Sequence, residues 1–263
     1  MENQRNEDYE PTDGGLPQPP AGFVQILDVL GSPPSGWSLR PVALPVPLLT
    51  AAGLDTPEDA EPEYVSINSR NKVALTLQEN NGVAIIDLKK GVVENVFTAG
   101  AVTLTGVDAV EDGFVSPVDT LTGVVREPDA VGWIDDRYLA TANEGDWKGG
   151  SRGWTVFDSK TGNVVWDAGS TLEDLAIKHG LHNDDRSGNK GVEIEGLGRC
   201  EVRQDHVCLR RFGAQQLRRR LRRLEPDQAE VPADPGDRRR PGGLAGHPRP
   251  QPARGLQRRG RAW

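Results

Sequence analysis

Three features of this 263-residue chain predict an all-β fold built from the four-stranded blades of a propeller. Apolar residues alternate with period two, as they do along strands. Turn residues break the alternating runs into short pieces. The segment heads Glu61-Pro62-Glu63, Glu127-Pro128-Asp129 and Glu193-Ile194-Glu195 recur 66 residues apart. A β-sandwich is also made of short alternating strands, but it does not require heads that recur.

The elements follow in chain order. Residues 1–21 read as an acidic, proline-rich loop, with no apolar stretch behind a basic region and so no secretory signal in this chain. "GFVQILDV" carries an apolar run ending at Asp28, the signature of a third blade strand, so the chain is expected to begin inside a blade. From Glu63 to Gly100 four strands are expected. In "KVALTLQ", Val73, Leu75 and Leu77 alternate with smaller or polar neighbours, the pattern of a half-buried strand. "GVAIIDL" follows the turn pair Asn80-Asn81, and "VVENVFTAG" follows the turn "KKG". The unit then returns as "EPDAVGWI", "RYLATANEGD", "RGWTVFDSKTG" and "NVVWDAG", with the third-strand signature of Asp87 repeated at Asp158. A unit of roughly 40–45 residues with loop insertions is a four-stranded blade of the YVTN/WD40-like kind. Trp133, Trp154 and Trp166 are expected to pack the blades. "STLEDLAIKHG" departs from period two. Its Ser170-x-x-Glu173 capping box, helically spaced Leu172, Leu175 and Ala176, and Gly180 stop predict a short helix between blades. Residues 22–198 are thus read as a partial, incomplete propeller of about two and a half to three blades.

Beyond Leu197 the composition changes. Residues 1–198 hold 14 Lys and Arg against 32 acids, whereas residues 199–263 hold 17 Arg, no Lys and 7 acids. Read one nucleotide downstream, one choice of synonymous codons for residues 199–263 encodes alternating strands and a fresh Pro-Glu-Gly head. The tail is therefore read as a shifted frame, irregular or disordered and not a domain. The alternative is a basic arm that neutralises nucleic-acid phosphates. That reading is disfavoured because Phe212 and Trp263 are its only aromatics. Cys200, Cys208 and His206 lack a second pair at zinc-site spacing. No apolar run approaches the length of about 18 residues needed to span a bilayer.

No nucleophile elbow, phosphate-binding glycine loop or zinc-protease helix is present in the sequence. The candidate chemistry lies in acidic clusters at matching blade positions: Gln78-Glu79-Asn80-Asn81, Asn143-Glu144-Gly145-Asp146, and the three heads. Carboxylates converging from equivalent strand ends would form a hard oxygen site for Ca²⁺, with Glu144, Asp146, Glu193, Glu195, Glu127 and Asp129 as ligand candidates. A bound cation could polarise a phosphate ester for attack by water. The same acids could instead cap turns. Arg126 and Arg152 are candidates for phosphate contact or for loop salt bridges. His179, His182, Asp184 and Asp185 form either a solvated loop or a loose imidazole–carboxylate site.

The stretches "EPEYVSIN…VALTLQENNGVAIIDL", "REPDAVGW…LATANEGD…GGSRGWTVFD" and "NKGVEIEGL" resemble secreted bacterial β-propellers of the phytase-like and choice-of-anchor I group. Relatives in that group often carry the labels alkaline phosphatase or esterase-like. The resemblance covers nearly all of residues 3–197, with Ile194 standing where relatives tend to have Pro. It implies an extracellular or cell-surface parent, of which this chain is a fragment, and a cation-dependent phosphoester hydrolase as its activity. A non-catalytic propeller binding a protein or surface ligand is the alternative. The chain itself is expected to be inactive.

Overall fold

The computed structural model describes residues 17–18, 20–145 and 147–198, and the backbone of 206–211 and 219–222. All of these belong to one compact unit, Met1–Arg223. The first pair of strands, β1 (Val24–Asp28) and β2 (Ser38–Val42), forms an antiparallel two-stranded sheet. A short helix follows, α1 (Val46–Ala51). Pro45 at its N-cap and Pro47 in its first turn hide it from a sequence reading, yet proline is tolerated in a first turn because the N–H it lacks has no intrahelical partner there.

Blade 1 is β3 (Pro62–Ile67), β4 (Lys72–Leu77), β5 (Gly82–Asp87) and β6 (Val92–Thr98), hydrogen-bonded in that order. A hairpin absent from the strand reading comes next, β7 (Ala101–Val107) with β8 (Asp119–Val125). Gly106 and Gly123, both at positive φ, and two shifts of register interrupt its alternation. Blade 2 repeats the order of blade 1: β9 (Pro128–Trp133), β10 (Tyr138–Asn143), β11 (Gly153–Asp158) and β12 (Val164–Asp167). The expected helix is α2 (Thr171–Lys178). A further sheet opens with β13 (Gly196–Gly198), which pairs with β14 (His206–Arg211), and this in turn with β15 (Arg219–Arg222). Among the described residues, no helix is long and apolar enough to cross a membrane.

The middle strands of each blade are not half-buried as alternation implies. β4 and β5 are buried on both faces, because each blade lies between two neighbouring layers. Val73, Leu75, Leu77, Ala84 and Ile86 turn to one apolar cluster, shared with Val42 of β2, Val24 and Ile26 of β1, and Leu49 of α1. Ala74, Val83 and Ile85 turn to the other, which they share with Val131, Trp133, Leu139 and Phe157 of blade 2. The far face of blade 2 meets α2 and the segment before β13 through Trp154, Val156, Leu172, Ala176, Val192 and Ile194. Stacked all-β blades with antiparallel, sequence-ordered strands are the architecture of a β-propeller.

Candidate functional site

The blade heads and the loops between second and third strands lie at the same end of the strands, and their polar side chains are largely committed to holding that end together. In blade 1, Asn80 is fully buried. Its Oδ1 accepts the Glu61 N–H at 2.8 Å, and its Nδ2 donates to the carbonyls of Asp55, Thr56 and Asp59. Asn81 sits at φ 52°, a left-handed conformation that asparagine tolerates better than most residues. From there its Oδ1 accepts the N–H of Glu127 in the next blade at 3.0 Å, and its Nδ2 donates to Gly100 O at 3.1 Å. One side chain therefore fastens blade 1 to the head of blade 2.

In blade 2, Asn143 donates to Ser151 Oγ and Thr155 Oγ1 and accepts from Thr141 Oγ1, all within the buried interior. Glu127 accepts the Lys148 N–H on its carboxylate at 2.7 Å, and its carbonyl accepts the Gly145 N–H. Gly145 is at φ 79°, and a Cβ there would fall 1.8 Å from Gly150 N, so this turn requires glycine. Glu144 faces Lys190 Nζ at 3.5 Å. Glu193 is ion-paired with Arg186, whose pKa it raises by accepting that guanidinium's hydrogen bonds. Asp129 is buried in β9, its carbonyl accepting from Thr76 Oγ1, and Glu195 is exposed. Asp146 lies outside the described residues. Among the described residues, no group of three or more His, Cys, Asp or Glu side chains converges as a metal-ligand set.

The two arginines considered for phosphate contact are interior groups. Arg126 Nε donates to Thr155 Oγ1 and Asp167 Oδ2, its Nη1 to the carbonyls of Ala99 and Ala101, and its Nη2 pairs with Asp167 at 2.9 Å. Arg152 is 1% exposed. Its Nη1 lies 3.2 Å from both oxygens of Glu173 and donates to Asp108 O, while its Nη2 donates to Ser187 O. Glu173 also accepts the Asp108 N–H at 2.9 Å. The capping box is therefore not formed. Ser170 makes no side-chain cap and instead donates to Thr105 O, and the buried arginine outcompetes the helix terminus for Glu173. Of the imidazole loop, His182 Nε2 lies 2.7 Å from Ser187 Oγ, Asp184 accepts the Gly113 N–H, and His179 and Asp185 are exposed, so the four do not meet.

A cleft of about 430 Å³ that the sequence reading passed over opens at the opposite end of the strands, lined by Arg70, Asp135, Asp136, Arg137, Tyr138 and Lys160. Arg70 bonds Asp136 across the blades, and Arg137 bonds Asp158 and stacks over Tyr138 at 5.1 Å. The available signal was an arginine in the turn before the second strand of each blade.

The layered four-stranded blades and their interlocked heads define a β-propeller protein. Within that class, the chain belongs to the choice-of-anchor I domain family, whose model matches residues 42–149 and 148–209, more than half of the sequence. Among solved structures, the β-propeller domain of Cps50 (Swd1) from Myceliophteria thermophila is similar at 9% identity and a TM-score of 0.23. That match covers 56% of this chain and 52% of the solved one, so the chain spans about half the length of that domain. Comparison with curated proteins gave no match.

Proposed function

We propose that this chain is part of a cell-surface or extracellular propeller that binds a ligand without turning it over. The observation that carries the reading is how the polar residues at the blade heads are used. Asn80, Asn81 and Asn143 bond the fold to itself, and the guanidiniums of Arg126 and Arg152 are buried against protein acceptors. A phosphate-handling site needs donors aimed at the place where the ligand's charge sits. Membership of a choice-of-anchor family supports a surface location.

The second reading is a Ca²⁺-assisted phosphoester hydrolase. It draws on Glu127 and Glu144 standing in adjoining loops, joined by the Gly145-to-Glu127 hydrogen bond, with Asp129, Asp146, Glu193 and Glu195 as further ligand candidates. Hydrolysis of p-nitrophenyl phosphate, measured with and without Ca²⁺, separates the two readings. No turnover above buffer in either condition is the expected result. Turnover that rises with Ca²⁺ and is lost in the Glu127→Gln/Glu144→Gln variant would put the hydrolase first.

We also propose that the sequence after Leu197 is a shifted reading frame, a reading supported by the reversal of charge and the complete loss of lysine there. Nucleotide sequencing across codons 190–205 is expected to find one surplus base, and an intact frame would return residues 199–263 to the protein.

A further inference from the structure

The cleft at the end of the strands opposite the heads uses its polar groups differently from the heads. Its walls come from the two four-stranded blades: Arg70 from the turn between β3 and β4, Asp135, Asp136, Arg137 and Tyr138 from the turn into β10, and Lys160 from the turn after β11. The walls are tied together, because Asn95 of β6 donates to the carbonyls of Ser159 and Lys160, and Ser69 and Arg70 both bond Asp136. The cleft is therefore held in shape before any ligand arrives.

Its carboxylates are largely engaged. Both oxygens of Asp136 accept from Ser69 Oγ, and Oδ2 also accepts from Arg70 Nε. Asp135 Oδ1 accepts the N–H groups of Arg137 and Tyr138. Asp158, outside the lining, accepts from Arg137 Nε and Nη2 and from the Lys160 N–H. The cations are less engaged. Among the described residues Arg70 bonds through Nε alone, which leaves both of its Nη groups, and Arg137 keeps Nη1. The Lys160 ammonium and the Tyr138 hydroxyl bond no described residue. What the lining has left to offer is thus mostly donors, most of them cationic, whereas the guanidiniums near the heads are spent on protein acceptors. Such a lining is a local exception in residues 1–198, where 32 acids face 14 cations.

The balance of charge narrows the ligand. Arg70, Arg137 and Lys160 stand against Asp135, Asp136 and Asp158, so the site is neutral when empty and takes up one negative charge more readily than the two of a phosphate monoester. A guanidinium edge matches a carboxylate in shape. Asp135 Oδ2 bonds no described residue and remains as an acceptor for a ligand hydroxyl. A volume of about 430 Å³ is that of a small-molecule site. We propose that this cleft binds a hydroxylated carboxylate, of the class of a uronic-acid sugar, through Arg70, Arg137 and Lys160. The inference rests on the reading of the chain as a ligand-binding propeller, and it names where and what that propeller binds. Phosphate-ester turnover tests that reading; the binding measurement below tests this one.

The probe is digalacturonate, which carries one carboxylate on each ring, titrated calorimetrically into the full chain at low salt. Saturable binding is expected, weakening as NaCl is added. Galactobiose, the neutral disaccharide, and inorganic phosphate are each expected to bind at least about tenfold more weakly. Arg70→Ala/Lys160→Ala should also bind digalacturonate at least about tenfold more weakly, with an unchanged melting temperature, because both side chains are exposed and a surface ion pair contributes little. If that variant melts lower, Arg70→Gln/Lys160→Gln carries the same expectation. Lys89→Ala removes an exposed charge outside the cleft and should bind as the parent does. Absence of saturable binding would overturn the proposal, as would equal binding of galactobiose or phosphate. An equal loss in Lys89→Ala would overturn it too, since overall charge and not the cleft would then hold the probe.

Discussion

At the scale of single residues, the recurring aspartate at the end of each third strand is the most informative. Asp87 accepts from Lys72 Nζ at 2.7 Å and from the Lys90 N–H, Asp158 from Arg137 and the Lys160 N–H, and Asp28 from Arg40. In all three the hydrogen bond from the cationic side chain is the main cause holding the carboxyl below its ordinary value. A depressed folded-state pKa contributes stability that is present above the unfolded value of about 3.9 and is lost as pH falls through the folded one. The melting temperature should therefore be flat between about pH 5 and 7 and fall below about pH 4. Asp87→Asn and Asp158→Asn should each melt lower at neutral pH and lose less on acidification, which thermal melts across that range will show. The buried Arg152–Glu173 pair makes a different prediction. Glu173→Gln strands a guanidinium in the interior and is expected to cost about 3–5 kcal/mol in urea unfolding. Replacing both partners with apolar residues should recover most of that loss. The sequence marked Asp28, Asp87 and Asp158 because they end apolar runs. It assigned Glu173 to a helix cap, because the competing Arg152 is a neighbour only in space.

At the scale of elements, the Asn81 side chain is what connects one blade to the next. Asn81→Ala leaves the Glu127 N–H without its partner, removes one of the two donors to Gly100 O, and puts at φ 52° a residue that tolerates the left-handed region less well than asparagine, and should cost about 1–3 kcal/mol. Asn81→Gly relieves the backbone but not the lost bonds. Amide exchange at Glu127 should therefore quicken in both variants, while only the alanine variant carries the added strain. The eight blade strands were legible because each keeps period two between turn residues. The helix α1 was obscured by prolines at its N-cap and in its first turn, and the β7–β8 hairpin by two glycines and two register shifts. The acidic heads were legible as a recurring pattern, but nothing in their spacing reveals that the neighbouring asparagines are turned inward to hold backbone groups.

At the scale of the whole molecule, the blades are held by their shared faces. Phe157 of blade 2 is fully buried and meets Phe97 of blade 1 with ring centroids 5.6 Å apart. Phe157→Ala is expected to cost about 3–5 kcal/mol and to lower the protection of β5 as well as β11, a result hydrogen exchange can read strand by strand. Double burial of β4 and β5 also bears on how the sequence can change over time. A strand with one wet side can drift at every second position, because half of its residues answer only to solvent. β4 and β5 have no such side: Leu75 answers to one neighbouring layer, and Ala74 beside it answers to another. Neutral variation in this protein is therefore expected to collect in β6, β12 and the hairpin tip around Phe114, where exposed positions recur.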